Sequence, residues 1–274
     1  MKILTKSHIK QLIKNRNAFS DKSDYGHALI IAGNKGKMGA AVIAAKACLR
    51  SGAGLLTVCI PHDERFILQT TIPEAMLKMR ENNEYDINKF SAIGIGPGIG
   101  VDIFSEEMLI HFMANFNKPL LLDADVLTLL ASNKKLLTKI PTNTIITPHH
   151  HEFDRLFGNH NNNDERIKTA VKKANEYGII IILKNHITVV ISPNKIFYNT
   201  NGNSGLAKGG SGDALTGIIT GLLAQGYKPL NAAKLGVYLH GLAADITLNK
   251  QSMESMLITD VIENLGEAFK ITSN

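Results

Sequence analysis

A chain of 274 residues with 44% hydrophobic and 20% charged side chains is long enough for a large core, which excludes disordered and low-complexity classes. Its net charge of +6 suits an anionic ligand, yet the basic residues are scattered and tryptophan is absent, which argues against a nucleic-acid surface. The first ten residues lack the apolar core of a signal peptide, and the longest apolar run, Gly178–Leu183, is far below the ~20 residues of a membrane span, so a cytoplasmic protein without membrane contact is expected.

In chain order, the residues before about Asp24 read as a basic amphipathic helix packed on the outside. "HALIIAG" (27–33) is a buried strand, and "MGAAVIAAKACLRSGAG" (38–54) a helix packed closely through its alanines. "LLTVCIP" (55–61) is the next strand. Cys48 and Cys59, both in apolar company, behave as small buried hydrophobes and fit a reducing compartment. "AIGIG" (92–96), "PLLLDAD" (119–125), "TIITP" (144–148) and "IIIILKN" (179–185) follow, most of them leading into a helical pattern. Strands that read as continuous apolar runs and alternate with helices predict a mostly parallel sheet with helices on both faces, a three-layer α/β fold. "HITVVISP" (186–193) and "KIFYNT" (195–200) form an antiparallel extension at one edge. The stretch 158–166, "GNHNNNDER", is a polar surface loop. Neither it nor the N-terminal stretch looks like a linker, and no repeat occurs, so residues 1–274 are expected to form one domain.

The most informative stretch is 203–226, "NSGLAKGGSGDALTGIITGLLAQG". Leu215, Ile218, Ile219, Leu222 and Leu223 have helical spacing, so a helix begins near Asp213 and ends near Gly226. The run Gly209, Gly210, Ser211, Gly212 then lies at its N-terminus, where free amides and the helix dipole favour an anion. Asp213 at the mouth of this cradle is either a first-turn residue favoured by the dipole or a general base beside a moving phosphoryl group. Two stock nucleotide motifs fail: Met38 stands where a P-loop needs its second glycine, and Val101 where a dinucleotide fingerprint needs its third. Asp123 and Asp125 end an apolar strand, where open α/β sheets bind ligands, although Asp125 also suits a helix cap. Lys184 ends another strand and suits a phosphate, whereas Lys35 and Lys37 read as solvated. Three adjacent histidines, His149–His151, point in different directions and do not read as a metal site. Magnesium is expected with the phosphates, without direct protein ligands.

These segments together resemble the NAD(P)H-hydrate dehydratases of the ribokinase-like fold. "GLAKGGSGDALTGIITGLLAQG" is similar to that family's Gly-Gly-Thr-Gly-Asp signature. "AGNKGKMGAAVIAAKACLRSGAGLLTV", "IGIGPGIG", "LLLDADVL", "TPHHHEFDRL" and "ILKNHITVVI" agree with it in the same order. The resemblance covers roughly residues 25–226. It departs at Ser211, where threonine is usual, at Asn185 and His151, where glycine is frequent, and at Thr128, where asparagine is usual.

The resemblance implies repair of nicotinamide cofactors: dehydration of the S epimer of NADH or NADPH hydrated at nicotinamide C6. ADP (or ATP) phosphorylates the C6 hydroxyl, with Mg2+, and ADP ends as AMP and phosphate. Asp213 would be the base, and the amides of Gly209, Gly210, Ser211 and Gly212 the anion hole. Lys184, Asn185, His186, Ile187, Thr188 and Asn203 would contact the nucleotide, and Ala40, Gly98 and His149 the hydrate. The family implies a homo-oligomer, a tetramer, and an epimerase partner encoded separately. A vitamin-precursor kinase of the hydroxyethylthiazole or pyridoxal type, with the same Gly-Asp cradle, is the alternative.

Overall fold

A computed structural model describes residues 2–81 and 86–274. Its frame is a nine-stranded sheet in the order β3-β2-β1-β4-β5-β6-β7-β8-β9. The strands are β1 (His27–Ile31), β2 (Leu55–Ile60), β3 (Met76–Met79), β4 (Ala92–Ile95), β5 (Leu120–Leu122), β6 (Ile145–Ile146), β7 (Ile180–Leu183), β8 (Thr188–Ser192) and β9 (Lys195–Asn199). β1 to β7 are mutually parallel, and the β8–β9 hairpin adds the expected antiparallel edge.

Alternation along each strand divides the core into two layers, because successive side chains leave a strand on opposite faces. Ala28, Ile30, Leu121 and Ile182 enter one layer, and Leu29, Ile31, Leu122 and Ile181 the other. The first layer is covered by α1 (Lys6–Lys10), α2 (Met38–Arg50), α3 (Arg65–Thr71), α8 (Ser211–Ala224), α9 (Pro229–Thr247), α10 (Ile258–Glu263) and α11 (Leu265–Ser273). The second is covered by α4 (Ile103–Asn115), α5 (Asp125–Ser132), α6 (His150–Phe157) and α7 (Asn163–Tyr177). Cys48 and Cys59 are both buried, and burial pushes their thiols up to about 12 and about 11. Among the described residues no helix is long and apolar enough to cross a membrane.

Three expectations are corrected. The N-terminal segment holds only the five-residue α1; beyond it Lys14 donates to the carbonyls of Gln225 and Gly226, and Arg16 to that of Gly52, contacts with chain ends that a continuous helix would not make. The polar stretch 158–166 is a loop only as far as Asn162, whose side chain accepts from the Glu165 amide and starts α7. β3, a short edge strand carrying Lys78, has no distinctive apolar pattern and escaped the reading.

α8 deserves its position in the middle of the first layer because it is apolar all round: every residue from Ala214 to Ala224 is buried. It lies almost in contact with the backbone of α2. A Cβ on Gly217 would come within 2.1 Å of the Ala44 carbonyl oxygen, and one on Gly221 within 2.7 Å of the Cys48 oxygen. Gly217→Ala should therefore force the helices apart and lower stability by about 1–3 kcal/mol, the usual cost of overpacking. A urea titration read by circular dichroism checks this; an unchanged midpoint would show that the two helices can separate freely.

Candidate active site

The loops that matter leave the C-terminal ends of the parallel strands. β1 is flanked by β2 and β4, so the chain switches direction across the sheet between β1 and β4. Ligands of open α/β sheets bind at such a point. Two glycine loops meet there. Gly33 donates to the Pro97 carbonyl (2.7 Å) and the Asn34 side chain to that of Ile99 (3.0 Å). A Cβ on Gly98 would lie 3.3 Å from that of Ala40, so these two predicted residues pack against each other where the loops meet. Arg80, only 4% exposed, braces both loops from beneath, donating to the carbonyls of Ala32 (3.0 Å), Gly33 (2.7 Å) and Ile99 (3.4 Å).

α8 points its N-terminus at the same edge of the sheet. Its first cap, Gly210, takes φ +94°, a left-handed conformation that a side chain would strain, and a Cβ there would also meet Ile43 at 2.6 Å. The first helical bond runs from the Ala214 amide to the Gly210 carbonyl (2.9 Å), which leaves the amides of Gly212 and Asp213 without an intrahelical acceptor. The Ser211 amide differs from expectation: it donates back to the Lys208 carbonyl (3.3 Å) and so is not wholly free for a ligand. The helix starts two residues earlier than read, which puts Asp213 in its first turn.

Behind Asp213 lies a charge cluster. Lys184, at the end of β7, donates to Asp123 Oδ1 (3.0 Å) and stands 3.8 Å from Glu152 Oε2. Thr216 donates to the other Asp123 oxygen (2.8 Å). Asp123 is 1% exposed, so its charge is held by these two partners and not by water. A Cβ on Gly212 would be 3.3 Å from Lys184 Nζ, which brings the glycine turn onto the cluster. Lys184, expected to pair with phosphate, is thus first of all the counter-ion of Asp123. Burial pulls its pKa down, but Asp123 and Glu152 outweigh that and the net shift is upward.

Asp213 itself is raised to about 6, first by burial, then by Asp123 and Asp125, with Lys184 pulling the other way. A carboxylate so placed is a far better proton acceptor than an ordinary aspartate and is still ionised at neutral pH. Asp125 is not a helix cap: its Oδ2 accepts from the Gly100 amide (2.9 Å) and thereby pins the second glycine loop, with Lys37 3.9 Å away.

On the other side of the α8 N-terminus a cavity of about 850 Å³ opens. Lys184, Asn185, His186, Ile187, Thr188, Asn203, Ser211 and Gly212, all predicted contacts of the nucleotide, line it. Gly209 and Gly210 are not among its walls, although the space beside Gly209 is open. His149, expected on the hydrate side, lines this same cavity, whereas Ala40 and Gly98 do not. His149 also caps α6: its Nδ1 accepts from the amides of His151 (3.1 Å) and Glu152 (3.4 Å), and Nε2 faces Glu152 (3.4 Å). Burial and Lys184 lower its pKa to about 4, so a neutral ring with both nitrogens engaged forms a wall and does not carry protons.

Besides Arg80, sequence reasoning missed four residues. Glu152 is the return arm of the His149 capping box, a spacing visible in "HHHE" had histidine been considered as a cap. Thr216 follows Asp213 by one helical turn. Asn199 and His240 line the cavity, and among the described residues Asn199 Oδ1 and His240 Nε2 are buried without a hydrogen-bond partner. Unsatisfied buried polar atoms on a cavity wall await a ligand's donor or acceptor.

The sequence model of the NAD(P)H-hydrate dehydratase family matches residues 28–267, which span both glycine loops, the charge cluster and the cavity. The chain belongs to that family. An ADP-dependent (S)-NAD(P)H-hydrate dehydratase from Listeria monocytogenes is 36% identical, with 100% of this chain and 98% of that one covered. A bifunctional NAD(P)H-hydrate repair enzyme from Moorella thermoacetica is 33% identical over 96% of this chain but 53% of its own length. The chain therefore spans about half the length of such bifunctional relatives. In structure it is similar to the ADP/ATP-dependent NAD(P)H-hydrate dehydratase of Bacillus subtilis co-crystallised with ATP/Mg2+, with TM-score 0.90, 30% identity and coverage of 99% and 98%. The fold of the family is ribokinase-like, and it extends to ribokinase itself, where 12% identity carries the fold and nothing more.

Proposed function

We propose that the chain is an ADP-dependent dehydratase of the S epimers of NADH and NADPH hydrates. The observation that carries the reading is Asp213: an aspartate whose pKa is raised to about 6, in the first turn of a helix that leaves the Gly212 and Asp213 amides without an intrahelical acceptor, at the edge of a nucleotide-sized cavity. In this reading ADP occupies the 850 Å³ cavity, with its phosphates toward Gly209–Gly212 and the open space at Gly209. The hydrate lies over the two glycine loops that carry Ala40 and Gly98. Asp213 takes the proton of the C6 hydroxyl as its oxygen attacks the terminal phosphorus of ADP, and AMP departs. Phosphate then leaves C6, a proton leaves C5, and the C5=C6 double bond is restored. The amides of Gly210 and Gly212 meet the charge on the moving phosphoryl group.

Among the described residues no group of three or more His, Cys, Asp or Glu side chains converges to hold a metal ion, and Asp123 and Asp125 already serve protein hydrogen bonds. Mg2+ would arrive with the nucleotide and would offset the charge of its phosphates, without needing these carboxylates to hold it. An epimerase supplying the S epimer would act alongside, and the buried free thiols suit a reducing cytoplasm.

Incubating the chain with hydrated NADPH and ADP tests the reading: NADPH absorbance should return in step with AMP and phosphate. A stable phosphorylated alcohol would point to a kinase instead. Asp213 must be unprotonated to act, and its pKa is raised to about 6, so activity is present above that value and lost as pH falls through it. kcat/KM should drop about tenfold per pH unit below 6. An acid limb near 4 would remove Asp213 from this role.

A further inference from the structure

A second cavity, of about 520 Å³, lies away from the site just described, between the N-terminal segment, β9 and α9. Its charged lining consists of Lys2, Lys195 and Lys234, beside His8, with no carboxylate among the described lining residues. Lys234 forms the floor and is only 5% exposed. Its ammonium donates to His8 Nε2 at 3.2 Å and sits 4.9 Å above the Phe197 ring. Neither partner is an anion. The charges that bear on Lys234 and His8 are Lys195, Lys2 and each other's neighbours in the same pocket, all of them positive.

A buried ammonium without a counter-ion among the described residues is an unusual arrangement, because desolvation penalises it and cation–π contact with one ring compensates only in part. The protein shows the strain in both groups: burial and the neighbouring cations lower the pKa values of Lys234 and His8 alike. Three ammonium groups, Lys2, Lys195 and Lys234, from three separate elements face one open cavity and supply what an oxyanion needs: donors from several directions and net charge to match more than one negative oxygen. A monoanionic carboxylate would leave most of that charge unmatched. The pocket also shares elements with the nucleotide cavity, since Phe197 and Asn199 lie two apart on β9 and Lys234 and Val237 one turn apart on α9.

We propose that this pocket, floored by Lys234 and rimmed by Lys2, His8 and Lys195, is a binding site for a phosphate group, either free phosphate or the phosphate end of a small metabolite such as a nucleoside monophosphate. The volume exceeds what phosphate fills, so a larger phosphorylated molecule also fits.

Calorimetric titrations in buffer free of phosphate and sulfate test it, with inorganic phosphate and AMP added separately to wild type, Lys234→Met and Lys195→Ala. The comparison between proteins cancels any phosphate bound at the active site. Wild type should bind one phosphate group per chain that Lys234→Met does not bind, and Lys195→Ala, an exposed rim substitution, should weaken that event at least tenfold. Phosphate alone producing the extra event identifies the free ion as the ligand; AMP producing it too identifies the phosphate end of a metabolite. Both outcomes support the site. Equal stoichiometry and affinity in wild type and both variants would overturn it. So would a change of oligomeric state in Lys234→Met without any difference in phosphate binding, which would give the pocket to a carboxylate of a second copy. Removing a buried unpaired charge seldom harms folding, and Lys195→Ala keeps the test decisive if it does.

Discussion

Asp213→Asn is expected to lower kcat by about 10²–10⁴ while leaving the dissociation constant for ADP within a few-fold of wild type. Asparagine keeps the shape and can still face the hydroxyl, but it accepts no proton. Nothing near Asp213 offers a substitute. Asp123 is bound on both oxygens by Lys184 and Thr216, Asp125 holds the Gly100 amide, and His149 has both nitrogens engaged. The same change should make the protein more stable at pH 7–8. The folded pKa of Asp213 is raised above its ordinary value to about 6, so the ionised form is disfavoured by folding, and that cost grows as pH rises toward 6 and persists above it. An uncharged amide escapes it. Melting curves at pH 5 and pH 8 check the sign: the variant should gain over wild type at pH 8 and gain less at pH 5. Steady-state turnover within tenfold of wild type would show that the proton goes elsewhere.

Lys184→Met should have the largest effect on stability, a loss of about 3–5 kcal/mol at neutral pH, because it removes the cation and leaves its carboxylate partners buried. Asp123 is 1% exposed and its partner Glu152 9%, so water cannot take the place of the ammonium. Methionine fills the volume, which separates the loss of charge from the opening of a hole. The two stranded carboxylates would take up protons more readily in the fold than in the unfolded chain, so the deficit should shrink as pH falls from 8 to 5. Lys184 is also, among the described residues, the attractive charge acting on Asp213; without it the pKa of Asp213 moves further up and the acid limb of the rate profile shifts toward neutral pH. Urea titrations at the two pH values, with the pH profile of any remaining activity, measure both effects. A variant as stable as wild type at pH 8 would mean that the cluster is already neutral by protonation.

The sheet was legible because its strands are buried on both faces and therefore read as uninterrupted apolar runs; Ile180–Leu183 and Leu120–Leu122 need no context to be recognised. β3 lacks that property, being a four-residue edge strand only partly buried. The start of α7 was hidden by composition: a run of asparagines looks like a loop, although Asn162 followed three residues later by Glu165 is a helix-start spacing. Beyond Lys10 the N-terminal segment keeps helical periodicity, but its side chains are drawn to the exposed carbonyls at the ends of α2 and α8, and tertiary contacts override the local pattern.

The site divides the same way. The glycine turn and Asp213 are adjacent in sequence, so their chemistry could be read directly. What tunes Asp213 could not. Asp123 finds Lys184 across 61 residues and Thr216 across 93, and only the parallel order of β5, β6 and β7 brings them together. Arg80 was likewise invisible, since a lone arginine after a weak strand gives no hint that three loop carbonyls converge on it.

The burial of Cys48 and Cys59 has a practical side. Cys48 lies in the core layer that holds α8 and Cys59 in the opposite layer, with pKa values pushed up to about 12 and about 11, so neither is a thiolate at physiological pH. Alkylating reagents and peroxide reach them only when the interior opens. Their modification rate is thus a built-in clock for that opening.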